Sequence, residues 1–146
     1  MPKFAAGCKT SAGNTTWPSI SFFSGATLKQ NLYEIGVFNT SSTAVDVKLA
    51  RISSGPGTVG SALTKTSIDS PGASSSCFAF QTHTGGTPTL TDLGVRATLG
   101  PYAGVIWTEG MAGFETLAAA GTANGICVVV ENGTGQALQA YGKWLE

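Results

Sequence analysis

The chain has 146 residues, 42% of them hydrophobic and only 11% charged, and its eight basic and eight acidic residues cancel to a net charge of zero. That length bounds it to one domain with one core, and that hydrophobicity excludes a disordered chain. The cations are scattered from Lys3 to Lys143 without a run, so the clustered charge on which nucleic-acid binding draws is missing, and the scarcity of charge favours burial of part of the surface in an assembly.

Strand signals come in quick succession along the chain. Phe4 to Lys9 reads as a first strand or an N-terminal arm spanning residues 1–16, closed by the break SAGNTT. Residues 17–146 then form the body of the fold. Trp17 to Phe23 is strand-like, with Pro18 suited to a strand start or a sheet edge. Leu32 to Phe38 and Val45 to Ile52 both alternate apolar and polar residues around the loop NTSSTA, which predicts an antiparallel hairpin. Ser53 to Ala73 is rich in Gly, Pro, Ser and Thr and reads as a long loop, with a short edge strand within SALTKTSI. Cys77 to Gln81 is a short strand. Thr82 to Leu93 reads as a second loop, with a helical turn near Thr89 to Leu93.

Gly104 to Glu109 and Phe114 to Leu117 are further short strands. Gly125 to Glu131, strongly β-branched, and Ala137 to Leu145 flank NGTG and predict a second hairpin. About seven to nine short antiparallel strands with almost no helix describe a single-domain, all-β sandwich or jelly-roll-like fold.

Motifs for chemistry are weak. Gly55-Pro-Gly57-Thr-Val-Gly60 matches G-x-G-x-x-G, but a dinucleotide site needs a helix after the third glycine and an acidic residue about 20 positions on. Here β-branched residues and a Pro-Gly break follow instead, so no cofactor is expected. His83 is the only histidine and has no companion for a metal site or a nucleophile elbow; it reads as solvent-facing or loop-ordering. Glu109 and Glu115 are the nearest carboxylates to a glycosidase pair, and they read as solvated strand-end acids. Cys8, Cys77 and Cys127 fit neither a redox motif nor a complete disulfide set and read as small buried hydrophobes. Catalytic, cofactor and metal residues are therefore expected to be none, and the chain is not expected to be an enzyme.

The sequons at Asn14, Asn39 and Asn132 read as chance matches in a Thr- and Ser-rich chain. No stretch reaches the roughly 20 apolar residues of a membrane span, and the residues before Cys8 lack the apolar core of a signal peptide, so no membrane partner is expected. Trp17, Phe22, Phe23 and Trp144 are candidate anchors at a subunit contact or a sugar-stacking platform, while Trp107 reads as core. Phe4, on an arm able to add a strand to a neighbour's sheet, joins the interface candidates. So do Gly55, Val59 and Leu63 of the long loop, because such loops often carry contacts.

Two stretches, LYEIGVFNTSSTAVDVKLARISS (Leu32 to Ser54) and GTANGICVVVENGTGQALQAYGKWLE (Gly121 to Glu146), together with GVIWTEG (Gly104 to Gly110), resemble small virion structural proteins of tailed bacteriophages and prophages, of the head decoration type. The resemblance implies a non-enzymatic capsid decoration (cement) protein, made in the bacterial host cytoplasm and residing in the virion. Such a protein binds the major capsid protein at capsomer junctions as a homo-oligomer, often a trimer, and stabilises them through buried area. A tail, tail-tip or fibre component and a carbohydrate-binding β-sandwich are the alternatives it leaves open. No catalytic residue is carried across.

Overall fold

A computed structural model describes residues 1–10, 13–54, 58–109, 114–115, 124–133 and 135–146. Its strands are β1 (Lys3–Lys9), β2 (Ile20–Phe23), β3 (Asn31–Asn39), β4 (Val45–Ser54), β5 (Thr66–Ser67), β6 (Phe78–Gln81), β7 (Thr89–Leu99), β8 (Gly104–Thr108), β9 (Phe114–Glu115), β10 (Gly125–Asn132) and β11 (Leu138–Leu145). They form two antiparallel sheets: sheet I in the order β5-β1-β11-β3-β8, with β9 also on β3, and sheet II in the order β6-β2-β10-β4-β7. The all-β sandwich read from the sequence is the observed architecture, and no described helix is long and apolar enough to cross a membrane.

Strand pairing differs from the sequence expectation in one consistent way. No two consecutive strands are paired, and only β6 to β7 and β8 to β9 stay within one sheet; every other connection crosses the sandwich. Both predicted hairpins are therefore corrected. β3 pairs with β11 and β8 while β4 pairs with β10 and β7, and β10 and β11 likewise lie in opposite sheets. Alternation fixes which face of a strand is apolar, but two strands facing one core from opposite sides alternate just as a hairpin does. In both sheets β1/β2, β11/β10, β3/β4 and β8/β7 hold equivalent places in the order, which is the arrangement of a jelly roll.

The core lies between the sheets. From sheet I come Phe4, Leu32, Ile35, Val37, Leu138 and Trp144; from sheet II come Ile20, Phe22, Val47, Leu49, Ile126, Val128 and Val130. Trp144 is fully buried, with Phe4 stacked on it at 6.0 Å and Phe22 tilted against it at 6.1 Å. β1 is not a free arm: it pairs with β11 from Lys3↔Leu145 to Lys9↔Gln139, and Phe4 anchors it in the core. Strand donation to a neighbour is thereby corrected, because withdrawing β1 would empty the space around Trp144.

Thr89 to Leu93, expected as a helical turn, belongs to strand β7, where Leu90 pairs with Ile52 and Asp92 with Ala50. The misleading signal has a local cause. The register shifts opposite Lys48/Ala50, Gly94 takes φ +75°, and its N–H donates to Asp92 Oδ1 at 2.7 Å, so a turn-like bulge sits inside the strand.

The β3–β4 crossing is organised by Asn39, which is almost fully buried. Its Nδ2 donates to the carbonyls of Thr43 (2.7 Å) and Gly100 (3.1 Å), and its Oδ1 accepts from the Ser41 N–H (2.9 Å) and hydroxyl (2.8 Å). One side chain thus ties the β3–β4 loop to the β7–β8 loop, and the sequon it begins is spent on structure.

Candidate interaction surface

The expected interface residues divide by burial. Phe4, Phe22, Phe23 and Trp144 are buried within the single chain and are corrected as surface anchors. All four sit on strands that pack the sandwich, so their apolar area is used inside the fold. Phe23 belongs to a second apolar cluster on the outward side of sheet II, with Ala50, Ile52, Cys127 and Val129. Trp17 is half-buried and its Nε1 donates to the Gly86 carbonyl at 2.6 Å. Val59 is half-buried beside the bridge Thr58↔Gly85, and Leu63 is half-buried against the core with its N–H on the Ala79 carbonyl at 2.8 Å.

Gly55 lies outside the described residues, as does Gly57 of the glycine motif. The third glycine of that motif, Gly60, has a packing role, since a Cβ there would overlap the Gln81 and Thr82 carbonyls at the end of β6.

His83 is fully buried, which corrects the solvent-facing reading. Its N–H donates to the Pro18 carbonyl at 3.0 Å, its ring stacks on Phe23 at 6.5 Å, and its Nε2 lies 2.8 Å from Ser21 Oγ. A hydroxyl beside an imidazole has the composition of a nucleophile and base. Ser21 is fully buried as well, so the pair joins the 82–88 loop to β2 and offers no substrate a path. The Glu115 side chain lies outside the described residues. Among the described residues no three His, Cys, Asp or Glu side chains gather as metal ligands. Burial pushes the Cys8 thiol up to about 11 and the Cys77 thiol up to about 12, which leaves both protonated and unreactive at neutral pH.

What the sequence did not single out is the outward face of sheet I. Alternation brings Glu34, Gly36 and Phe38 of β3, Gln139, Tyr141 and Lys143 of β11, Ala5 and Gly7 of β1, and Gly104, Ile106 and Thr108 of β8 to this side. Two glycines accept rings: a Cβ at Gly36 would overlap the Tyr141 ring, and one at Gly104 would overlap Phe38. The rings thus lie down on bare backbone, near-parallel to each other at 18° with centroids 6.3 Å apart. Ile106 stands beside them, 51% exposed.

At the centre of this face charge is confined to one compensated group, while Lys3 and Lys9, at the two ends of β1, add exposed cations on the same side. Tyr141 Oη donates to Glu34 Oε1 at 2.7 Å, and Lys143 Nζ reaches the same oxygen at 2.8 Å while sitting 5.5 Å from the Tyr141 ring centroid. The hydrogen bonds from Lys143 and then Tyr141 hold the Glu34 carboxyl below its usual range, and the bond to Glu34 raises the Lys143 ammonium. Burial, then the bond to Glu34, pushes the Tyr141 phenol up to about 12. All three keep their neutral-pH states over a wide range. Next to them a shallow depression of about 480 Å³ is lined by Ala5, Ala6, Gly7, Thr64, Thr66, Tyr141 and Lys143.

The outward face of sheet II differs in kind. Lys48 lies 3.7 Å from Asp92 and 3.4 Å from Glu131, and Arg96 pairs with both acids, which closes a four-membered ring of alternating charge. Sheet I therefore presents an aromatic patch at its centre, whereas the outward side of sheet II divides between this charged ring and the buried apolar cluster around Phe23. Comparison with family models, with curated proteins and with solved structures finds no match to this chain.

Proposed function

We propose that the chain is a non-enzymatic structural protein of a tailed phage particle, a capsid decoration protein that binds the major capsid protein at capsomer junctions and works through buried area. The observation that carries this reading is the centre of the outward face of sheet I, where Phe38 and Tyr141 lie flat and the charges of Glu34 and Lys143 cancel. Stable interfaces are depleted in charge and enriched in aromatic residues at their centre. The stretches that resemble phage virion proteins supply β3, β4, β10, β11 and β8, so the resemblance falls on the centre of both sheets and on the strand bordering this face.

Co-sedimentation with empty capsids assembled from the major capsid protein of the same phage genome tests the reading. The native chain is expected to pellet with capsids and the Tyr141→Lys variant to remain in solution; a native chain that ignores capsids overturns it. A tail or fibre role in the same particle would show as binding to tails instead.

The same two rings favour a second reading, a carbohydrate-binding sandwich, because near-parallel aromatic faces beside hydrogen-bonding groups can stack against the apolar face of a sugar. Glycan binding lost in Tyr141→Ala, without capsid binding, would select this reading over the first.

A further inference from the structure

The outer edge of sheet I at β8 is built differently from the other sheet edges among the described residues. β7, the edge of sheet II beyond β4, carries the Gly94 bulge and the charges of Asp92 and Arg96. β6, the opposite edge, is covered by residues 61–63, through Leu63 N–H to the Ala79 carbonyl and Gln81 N–H to the Ser61 carbonyl. β5 and β9 are each two residues long. These are recognised ways of preventing edge-to-edge association. β8, Gly104-Val-Ile-Trp-Thr108, has none of them: it contains no charge, proline or bulge, and pairs only with β3 among the described residues.

Hydrogen-bond parity fixes which of its groups face outward. Glu109 N–H donates to the Tyr33 carbonyl at 3.0 Å and Asn39 N–H to the Ala103 carbonyl at 2.8 Å. In the same register Val105 and Trp107, opposite Val37 and Ile35, use their backbone groups on β3. The N–H and C=O of Gly104, Ile106 and Thr108 therefore point away from the sheet, and all three residues are exposed.

We propose that β8 pairs antiparallel with β8 of a second copy of this chain about a two-fold axis through Ile106. In that register Ile106 faces Ile106 and Gly104 faces Thr108 of the other copy, so every outward donor and acceptor of the three residues meets its complement. The pairing is isologous and closes on itself. No like charges meet, since β8 is uncharged and the nearby Glu34 is matched by Lys143. The two sheets I become one, and because the axis is perpendicular to the sheet, the outward faces join on one side with Phe38 and Ile106 of each copy forming a continuous apolar strip. The inference concerns how copies meet, and it stands whether or not the chain belongs to a virion.

The full chain in a Cys8→Ser background tests it, using sedimentation velocity and site-specific oxidation. The dimer is expected to form in the unsubstituted protein. Ile106→Lys, at a side chain already in solvent, should keep the native circular dichroism and weaken the dimer more than about tenfold by setting two lysines face to face. Ile106→Cys should oxidise rapidly to a covalent dimer, because directly opposed residues of an antiparallel pair lie about 5.5 Å apart at Cα, within disulfide reach. Thr108→Cys should not, because its counterpart lies several residues along the strand. A chain that stays monomeric across concentrations overturns the proposal. So does a dimer indifferent to Ile106→Lys, or cross-linking at 108 in preference to 106.

Discussion

Tyr141 and Gly36 are cross-strand partners in which the ring of one covers the backbone of the other. The glycine is required by the ring, since the first atom of any side chain at 36 would occupy the ring's place. Gly36→Ala is expected to lift Tyr141 off the sheet, break its bond to Glu34, and cost about 1–3 kcal/mol, in the range of overpacked sites. Urea unfolding measures the loss. The double variant Gly36→Ala/Tyr141→Ala should cost less than the sum of its parts, because the collision disappears with the ring.

Trp144 is a core residue, and its Nε1 has no hydrogen-bond partner among the described residues. Trp144→Phe gives up no hydrogen bond and should cost only about 1–2 kcal/mol, whereas Trp144→Ala, which opens the space between Phe4 and Phe22, should cost about 3–5 kcal/mol. In a Trp17→Phe/Trp107→Phe background, the remaining fluorescence is expected to be blue-shifted and resistant to acrylamide. Ready quenching would place Trp144 at the surface.

Glu146 holds residues 75–77 to the end of β11. Its Oε1 accepts from the Cys77 N–H (2.6 Å) and the Ser75 hydroxyl (2.8 Å), and its Oε2 from the Ser76 N–H (3.2 Å). Burial raises this carboxyl, but the hydrogen bonds from Cys77, Ser75 and Ser76 together outweigh it and hold the group below its usual value of 4.5. A carboxyl depressed in the folded state contributes stability that is complete above its unfolded pKa and is lost as pH falls through the folded one. Stability is thus expected to decline below about pH 4.5, and Glu146→Gln should remove this part of the slope while lowering stability at neutral pH. Unfolding curves of the two proteins from pH 7 to pH 3 make the comparison.

Ser21 sits under His83 with no water-facing surface. Ser21→Ala removes the 2.8 Å contact to Nε2 and, with both groups buried, is expected to cost about 1–3 kcal/mol. Hydrogen exchange at the His83 N–H, which holds the Pro18 carbonyl, should accelerate with it. Unchanged exchange there would mean that the pair does not fix the loop.

Strand positions were legible in the sequence because alternation and β-branched runs report burial directly. Leu32 to Phe38, Val45 to Ile52 and Gly125 to Glu131 each lie within an observed strand. Pairing was not legible, since a short loop such as NTSSTA can turn back in the plane of a sheet or step about 10 Å to the facing one. One signal did point to the second outcome. Ile126 to Val130 is apolar at every position and buried at every position, which suits a central strand covered on both faces and not one arm of a half-solvated hairpin. The aromatic face of sheet I was missed because Phe38 and Tyr141 lie far apart in sequence, and only the strand order puts Gly36 and Gly104 beneath their rings.

The crossing connections also constrain how the chain reaches this fold. β11 lies between β1 and β3, and β10 between β2 and β4, so the strands made first are separated in each sheet by a strand made last. While residues 125–145 are still inside the ribosome, neither sheet has a centre: β3 can pair with β8 and β4 with β7, but the edges that β11 and β10 will occupy stay open. Folding dominated by contacts distant in sequence is slow. The growing chain must wait with its hydrophobic strands uncovered, and its exposure to misassociation ends only when the final two strands slot into the gaps left for them.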